Sequence, residues 1–276
     1  MAETTPRAAH AGTRWDPSQY ARFGDHRLRP ALELLARVPL SQPRVIYDLG
    51  CGTGNVTRLI AERWPEARVY GVDSSPQMLD KAASEPSPIT WMEADITRWR
   101  PEQPPDLLYS NATLQWLDDH PALFPRLFSL LSEGGCLAVQ MPLSRGAPSH
   151  RLMVEVLRDA ATAGQPLGPK SLTATLSRKW VLDAAQYYDL LAPGAATLDV
   201  WHTEYLQVLQ GDDAVLEWVK ATGLRPVLNG LDEAAKERYL ETYRTRLRET
   251  YPRRGDGGTL YPFRRLFMVA LRGAER

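Results

Sequence analysis

Apolar residues along this chain fall in short continuous blocks that alternate with longer blocks in which they recur every three or four positions. The short blocks predict strands at residues 44–49, 68–73, 89–93, 106–110 and 135–141. The longer blocks predict helices near residues 56–63, 76–84 and 121–131. Strands that alternate with helices are typical of a parallel sheet with helices on both faces. The first half of the chain therefore predicts a doubly wound α/β fold.

The pattern changes after Met141 and Pro142. Further helices are predicted at residues 149–163, 171–191, 212–222 and 231–250, with a long strand at 197–209 and a closing strand at 264–272. We expect the added helices to form a cap over the carboxyl edge of the sheet. The predicted organisation is one catalytic domain with three parts: an N-terminal helical segment (1–40), a ligand-binding core (41–148), and the remainder of the sheet with its cap insertions (149–276).

Three glycines at alternate positions follow the first predicted strand. They are Gly50, Gly52 and Gly54, with Asp48 two residues before the first of them. Glycine lets the chain adopt positive φ and lets a ligand approach bare backbone. The helix that follows starts with free N–H groups that attract an anionic group. The loop therefore indicates a ligand cradle.

The glycine spacing differs from the dinucleotide fingerprint G-x-G-x-x-G. A fingerprint that begins at Gly50 needs glycine where Asn55 stands, and one that begins at Gly52 needs glycine where Thr57 stands. Both matches fail. A nicotinamide-dependent oxidoreductase is therefore disfavoured.

An acidic residue, Asp73, ends the second predicted strand about 20 residues after the glycine loop. A carboxylate at this place can accept both hydroxyls of a ribose, so the loop and Asp73 together favour a nucleoside-type ligand. The alternative is a glycine-rich connection with a solvated Asp73 that caps the helix opening at Ser74.

Residues after the third and fourth strands extend the site, because open parallel sheets bind ligands at the carboxyl ends of their strands. Asp95 could accept from an adenine amino group, and Ile96 could pack on the ring. The alternative for Asp95 is that it caps a short turn at residues 97–99. Asn111 and Gln115 follow the fourth strand, beside the expected position of a transferable group. Neighbouring Trp116 either joins them or packs into the core.

Composition and charge exclude several function classes. The chain has 33 basic and 33 acidic residues, so no charge excess indicates a nucleic acid or an anionic membrane as partner. No segment approaches the roughly 18 apolar residues of a membrane span, and residues 1–13 are polar, so we expect a cytoplasmic protein. Two cysteines and five histidines show no metal-ligand spacing, and no metal is expected.

Several blocks together resemble one family. Asp48 and the three glycines resemble the S-adenosylmethionine loop of Rossmann-like methyltransferases, whose mostly parallel sheet has an antiparallel last strand. From about Trp15 the chain is similar to the trans-aconitate methyltransferases, which esterify one carboxylate of a tricarboxylic acid. Two departures stand out: Thr53, where the family often has proline, and residues 164–180, which are longer and differently composed. The blocks that carry the likeness are residues 15–20, 27–39, 74–76, 111–117, 139–142, 218–226 and 265–267.

The resemblance implies S-adenosyl-L-methionine as cofactor and a small polycarboxylic acid as substrate. Trp15, Tyr20 and Phe23 could close over the methionine end of the cofactor, or they could belong to an N-terminal helix packed on the sheet. The remaining implied cofactor contacts are Asp48, Gly50, Gly52, Gly54, Asp73, Ser74, Met78, Asp95, Ile96 and Asn111.

The chemistry needs positioning more than acid–base catalysis. A carboxylate is already ionised at neutral pH, so its methylation requires no general base, and Asn111, Gln115 and Trp116 are assigned to positioning. The substrate's other carboxylates need guanidinium partners. The candidate substrate contacts are Arg27, Arg29, Arg225 and Arg265, with Tyr261 as a polar pocket group. The alternative for each arginine is a surface ion pair.

The histidines carry less weight. His26 and His120 are possible polar groups of the pocket, whereas His10, His150 and His202 are expected to be solvent or packing residues.

Two other functions stay open at this point. One is methylation of another small molecule at oxygen, nitrogen or carbon, and the other is a cofactor-binding protein without turnover.

Overall fold

The computed structural model describes residues 28–144, 146–177, 181–220 and 223–274. Within these ranges, seven strands form one sheet. The strands are β1 (Val45–Leu49), β2 (Arg68–Asp73), β3 (Thr90–Glu93), β4 (Leu107–Asn111), β5 (Cys136–Pro142), β6 (Ala195–Leu209) and β7 (Thr259–Arg272).

Helices surround this sheet and extend beyond its carboxyl edge. The first four are α1 (Leu28–Arg37), α2 (Asn55–Arg63), α3 (Pro76–Ala83) and α4 (His120–Ser129). The later six are α5 (Pro148–Thr162), α6 (Lys170–Ser177), α7 (Ala184–Leu191), α8 (Ala214–Lys220), α9 (Arg225–Gly230) and α10 (Glu233–Thr250). Short 3₁₀ turns follow β4 at Leu114–Trp116 and precede β6 at Ala192–Gly194.

The strand order is β3-β2-β1-β4-β5-β7-β6. The first five strands pair in parallel, and β7 lies antiparallel between β5 and β6. The predicted doubly wound sheet with an antiparallel last strand is confirmed. Because the chain reverses its winding direction between β1 and β4, their carboxyl ends flank the crevice where such sheets bind ligands.

Apolar side chains cover both faces of the sheet. One face packs on α1 and α2 through residues such as Leu34 and Ile60, and the other packs on α4 and α7 through Phe124 and Tyr187. All five residues of β1 are buried, as expected for a central strand of a parallel sheet. The glycine loop therefore follows directly from a fully buried strand.

A third apolar cluster lies outside these two layers. It joins the last residues of β6 and the first residues of β7 to helices α5, α6, α8, α9 and α10. Tyr239 and Tyr243 of α10 are fully buried in it, and each hydroxyl donates to a backbone carbonyl of α5. The added helices thus have a core of their own, which lets them form a stable wall above the sheet edge.

Three predicted elements differ from the structure. The predicted helix 171–191 is two helices, α6 and α7, and α7 starts with a capping box between Asp183 and Gln186. The predicted helix 212–222 corresponds to α8, and a separate helix, α9, begins at Arg225. The last strand starts at Thr259, earlier than predicted. Among the described residues, no helix is both long and apolar enough to cross a membrane.

Candidate active site

The glycine loop after β1 has the backbone geometry that its sequence predicts. Gly50, Gly52 and Gly54 all have positive φ, at 78°, 55° and 78°. A Cβ on Gly50 would lie 2.1 Å from the Thr113 side chain, and a Cβ on Gly54 would lie 2.4 Å from the Trp91 ring. A Cβ on Gly52 would meet no atom within 4 Å. Gly52 therefore borders open space, where a ligand can approach the backbone.

Asp73 at the end of β2 holds this loop. Its Oδ2 accepts from the Gly52 N–H at 2.9 Å, and its Oδ1 accepts from the Ser75 N–H at 2.9 Å. The cap of α3 is Ser75, whose hydroxyl accepts from the Met78 N–H at 3.4 Å. Asp73 is half-buried, and both Ser74 and Met78 are exposed next to it. The carboxylate thus lies beside the open space at Gly52.

Asp48 lies beneath the glycine loop, whereas the family resemblance implied that it contacts the cofactor. Its side chain is buried, and its Oδ2 accepts from the Thr57 hydroxyl at 2.6 Å. Burial, together with the nearby Asp73 charge, raises the pKa of Asp48 to about 7, although the hydrogen bond from Thr57 acts in the opposite direction. In the structure Asp48 ties β1 to α2 beneath the glycine loop.

In the segment after β3, Asp95 caps a short turn, which was the alternative to a contact with adenine. The Asp95 Oδ1 accepts from both the backbone N–H and the hydroxyl of Thr97, so Asp95 caps the short turn. The hydroxyl bond is the main cause of its lowered pKa. Asp95 is nevertheless exposed. Ile96 is buried in the core beside Trp99, and it does not present a free face for a ring.

A large cavity lies between the carboxyl edge of the sheet and the helices added after β5. We call it the cap cleft. Its volume is about 1040 Å³, at the upper end of the range for small-molecule sites. Its polar walls come from Asn111, Gln115, Ser144, His150, Arg151, Glu155, Arg158, Thr175, Ser177, Asp183, Arg225 and Arg265. Its apolar walls include Trp116, Leu143, Met153, Val154, Leu176, Val181, Leu182, Trp218 and Phe263.

Two predicted substrate contacts, Arg225 and Arg265, both line the cap cleft. Arg265 is buried at 5% exposure, whereas Arg225 is exposed at the start of α9. The Arg265 guanidinium lies 4.8 Å from the centre of the Phe263 ring. A buried guanidinium beside an aromatic face is poorly hydrated and interacts strongly with an anion. Arg265 is therefore the stronger candidate of the two.

Sequence reasoning missed the part of the cleft that α5 forms. His150, Arg151 and Arg158 all line it, and the Arg158 Nη2 donates to the Ser177 hydroxyl at 3.2 Å. His150 was expected to be a solvent or packing residue, and in the structure its half-buried ring lines the cleft. Arg151 and Arg158 are seven residues apart and so lie on the same side of α5, but nothing in the sequence indicated that this side faces the cleft. Among the described residues that line the cleft, four are arginines and two are carboxylates, a balance that favours an anionic ligand.

The amide side chains after β4 face the same cleft. Gln115 donates from Nε2 to the Ala112 carbonyl at 2.6 Å, which fixes its Oε1 on the opposite side. Among the described residues, neither the Gln115 Oε1 nor the Asn111 Oδ1 has a hydrogen-bond partner, although both atoms are buried. Trp116 is 58% exposed, so the alternative that it packs into the core is wrong. These side chains offer acceptors and an aromatic surface to a bound molecule.

Two predicted site residues lie away from the cap cleft, and so does His120. Tyr261 is fully buried, its hydroxyl lies 3.1 Å from the Ser149 hydroxyl, and burial raises its pKa to about 12. Arg29 is exposed and pairs with Glu33 at 2.8 Å. The assignments of Tyr261 and Arg29 to substrate binding stay predictions.

His120 is buried in the core beneath the 3₁₀ turn, and not in the pocket as suggested above. Its Nε2 donates to the Leu114 carbonyl at 2.9 Å, which leaves Nδ1 to accept from the Tyr187 hydroxyl at 2.5 Å. The predictions for Trp15, Tyr20, Phe23, Arg27 and His26 lie outside the described residues. In the described part of the chain, no group of three or more His, Cys, Asp or Glu side chains could hold a metal ion.

The strand order, the glycine loop and the acid at the end of β2 define the Rossmann-like methyltransferase class. The sequence profile of a family described as "Methyltransferase domain" matches residues 46–135. Curated relatives cover nearly the whole chain. It is 49% identical to a trans-aconitate 2-methyltransferase of Pseudomonas aeruginosa over 94% of each chain. It is also 49% identical to one of Methylobacterium radiotolerans, over 93% of this chain and 97% of that protein. The chain belongs to the trans-aconitate 2-methyltransferase family.

Solved structures share the fold at much lower identity. The YcgJ protein of Bacillus subtilis superposes with a TM-score of 0.58 at 12% identity, over 89% of this chain and 99% of that chain. The phosphoethanolamine N-methyltransferase 2 of Haemonchus contortus superposes with a TM-score of 0.51 at 17% identity, over 89% of this chain and 52% of that chain. These likenesses bear on the fold alone.

Proposed function

We propose that this chain transfers a methyl group from S-adenosylmethionine to one carboxylate of trans-aconitate, giving a monomethyl ester. The observation that carries the proposal is the buried Arg265 in a cleft that begins at Asn111, next to the glycine loop. The names of the relatives, at about half identity over nearly the full length, point to the same reaction.

The residues present fit the cofactor. The open space at Gly52 accepts a ligand against bare backbone, and the Asp73 carboxylate beside it can accept the ribose hydroxyls. The exposed Asp95 follows the carboxyl end of β3, at the same edge of the sheet, and its carboxylate can accept a hydrogen bond from the adenine amino group. When bound, the cofactor supplies an electrophilic methyl group on a sulfonium. Asp48 contributes indirectly, since it holds the loop to α2 through Thr57.

The arginines of the cleft hold the acid. Arg265 anchors a carboxylate that does not react, through the planar fork that matches carboxylate geometry. Arg225, at the exposed rim, contributes less because solvent screens its charge. Asn111 and Gln115 then lie on the side of the cleft where the remaining carboxylate meets the methyl group.

No side chain needs to remove a proton in this reaction. The reacting carboxylate is an anion at neutral pH. Its attack on a sulfonium neutralises both charges, so exclusion of water and a fixed geometry favour the reaction. His150 lies in the cleft, but its role is that of a polar wall group and not of a base.

The test is incubation of the protein with methyl-labelled S-adenosylmethionine and a panel of di- and tricarboxylic acids. Label should enter trans-aconitate most rapidly and should be released by mild alkali, since methyl esters hydrolyse in base. Alkali-stable label on any acceptor would favour N- or C-methylation and would contradict the proposal.

The proposed reaction involves a small acid and a nucleoside cofactor, and it calls for no metal, nucleic acid or membrane. A cytoplasmic location stays a prediction from the sequence. The position of the esterified carboxylate follows from the same assay, because the product can be isolated and its methyl ester assigned.

A further inference from the structure

Gln140 is a fully buried polar residue at the carboxyl end of β5. It is the direct neighbour of Asn111 in the parallel β4–β5 register, so both residues stand at the sheet edge that borders the cap cleft. Burial of a polar side chain is costly unless the side chain forms hydrogen bonds, so the partners of Gln140 need to be identified.

The Gln140 side chain forms a hydrogen bond with the guanidinium of Arg265, which lines the cap cleft. The Arg265 Nη1 donates to the Gln140 Oε1 at 3.1 Å, inside the buried layer. A guanidinium carries only donors, so this bond fixes the orientation of the amide: oxygen toward Arg265 and nitrogen away from it. The amide is neutral, so this contact orients the guanidinium without cancelling any of its positive charge.

The other end of the Gln140 amide faces no acceptor. Its Nε2 is buried and has no hydrogen-bond partner among the described residues, and the same is true of the Asn111 Oδ1 on the neighbouring strand. A donor and an acceptor thus stand at directly paired positions of β4 and β5.

We propose that Gln140 is a positioning residue that holds the Arg265 guanidinium for a substrate carboxylate while leaving its charge intact. The inference rests on the function proposed above and assigns a part of its substrate specificity. A glutamate at position 140 would also orient Arg265, but its charge would compete with the substrate for the guanidinium. The neutral amide avoids this competition with an anionic substrate.

The test is Gln140→Glu in the full chain, compared with the wild-type protein. We expect the KM for trans-aconitate to rise at least tenfold, whereas the affinity for S-adenosylhomocysteine, measured by calorimetry, changes less than twofold. The temperature of unfolding should be maintained, because the new carboxylate pairs with Arg265. Gln140→Met removes the acceptor without adding charge, and its KM should rise by a smaller factor.

A matched control is Gln207→Glu, which places the same new charge in another buried glutamine of the sheet, outside the cap cleft. It should lower the temperature of unfolding and leave the KM within twofold. A purely structural role for Gln140 predicts the reverse pattern, with lower stability and an unchanged KM in Gln140→Glu. That result, in a wild-type background that methylates trans-aconitate, would overturn this inference alone. A wild-type protein that neither binds nor methylates any polycarboxylate would overturn the proposed function and this inference with it.

Discussion

The Asp73 carboxylate at the end of β2 accepts a hydrogen bond at 2.9 Å from the N–H of Gly52, in the loop that follows the neighbouring strand β1. The acid and the glycine loop are therefore assembled as one unit before a ligand arrives. The glycine loop of this unit follows directly from β1, whose five residues are all buried. Preorganisation of this kind lowers the cost of ligand binding.

The substitution Asp73→Ala should weaken the binding of S-adenosylhomocysteine by roughly 10- to 150-fold. The expected cost is about 1.5–3 kcal/mol, the range for hydrogen bonds to charged groups. Calorimetric titration measures it, with Asp80→Ala as control because Asp80 is exposed on α3. If the Asp73→Ala protein binds S-adenosylhomocysteine with wild-type affinity, Asp73 does not contribute to cofactor binding.

The substitution Arg265→Lys should raise the KM for trans-aconitate roughly tenfold, because lysine keeps the charge and loses the bidentate fork. Arg225→Lys should raise it by less than about fivefold, since exposed charges contribute little. Cofactor affinity should stay unchanged in both. Arg44→Lys is the control, as the Arg44 side chain is 87% exposed. Equal effects at positions 225 and 265 would contradict the assignment of the deeper anchor to Arg265.

The substitution Asp48→Asn should stabilise the protein at neutral pH and above. Burial raises the folded-state pKa of Asp48 from its ordinary 3.8 to about 7, so the folded state retains the proton more firmly than the unfolded state. Ionisation therefore costs stability as the pH rises from about 4 to about 7, and the loss levels off above that range. Since one pKa unit corresponds to 1.36 kcal/mol, the gain has a ceiling of about 4 kcal/mol. Urea unfolding at pH 5 and pH 8 measures it.

Asparagine keeps an oxygen that can accept from the Thr57 hydroxyl, so the contact that joins β1 to α2 survives. The stability difference between Asp48→Asn and the wild-type protein should be larger at pH 8 than at pH 5. A gain that is the same at both pH values would mean that Asp48 titrates normally.

The substitution Tyr187→Phe should lower stability by about 1–3 kcal/mol, because it leaves buried polar groups without partners. The Tyr187 hydroxyl donates to the His120 Nδ1 and accepts from the Leu182 N–H at 3.1 Å, and Leu182 lines the cap cleft. The control is Tyr188→Phe, since Tyr188 is 52% exposed. Thermal unfolding of both variants makes the comparison, and similar unfolding temperatures would exclude this network as a support of the cleft wall.

Local sequence features predicted most of the fold. The strands up to β5 appear where continuous apolar blocks stand, and the positive φ values of Gly50, Gly52 and Gly54 follow from their place between a buried strand and a helix. The family was confirmed as well. The errors arose at helix boundaries and at the start of the last strand. The capping box at Asp183 and the proline at position 226 were signals of new helix starts that the periodicity concealed.

The site was less predictable because its side chains meet through long-range contacts. Sequence spacing could not distinguish Arg265, buried beside Gln140, from Arg29, which pairs with a glutamate one helical turn away. It also could not place His150 and Arg151 in the cleft, since only the packing of α5 against α10 directs that face. The burial of Tyr261 was likewise not predictable from local sequence. The residue lies on β7, and it packs into the apolar cluster that the added helices form.

The most direct test of the central claim is identification of the product formed from S-adenosylmethionine and trans-aconitate. The account predicts one equivalent of S-adenosylhomocysteine for each equivalent of a monomethyl ester, with an O-methyl resonance in the NMR spectrum and loss of that methyl group in mild alkali. Formation of S-adenosylhomocysteine with the methyl group on carbon or nitrogen, or binding of the cofactor with no turnover of any polycarboxylic acid, would contradict it.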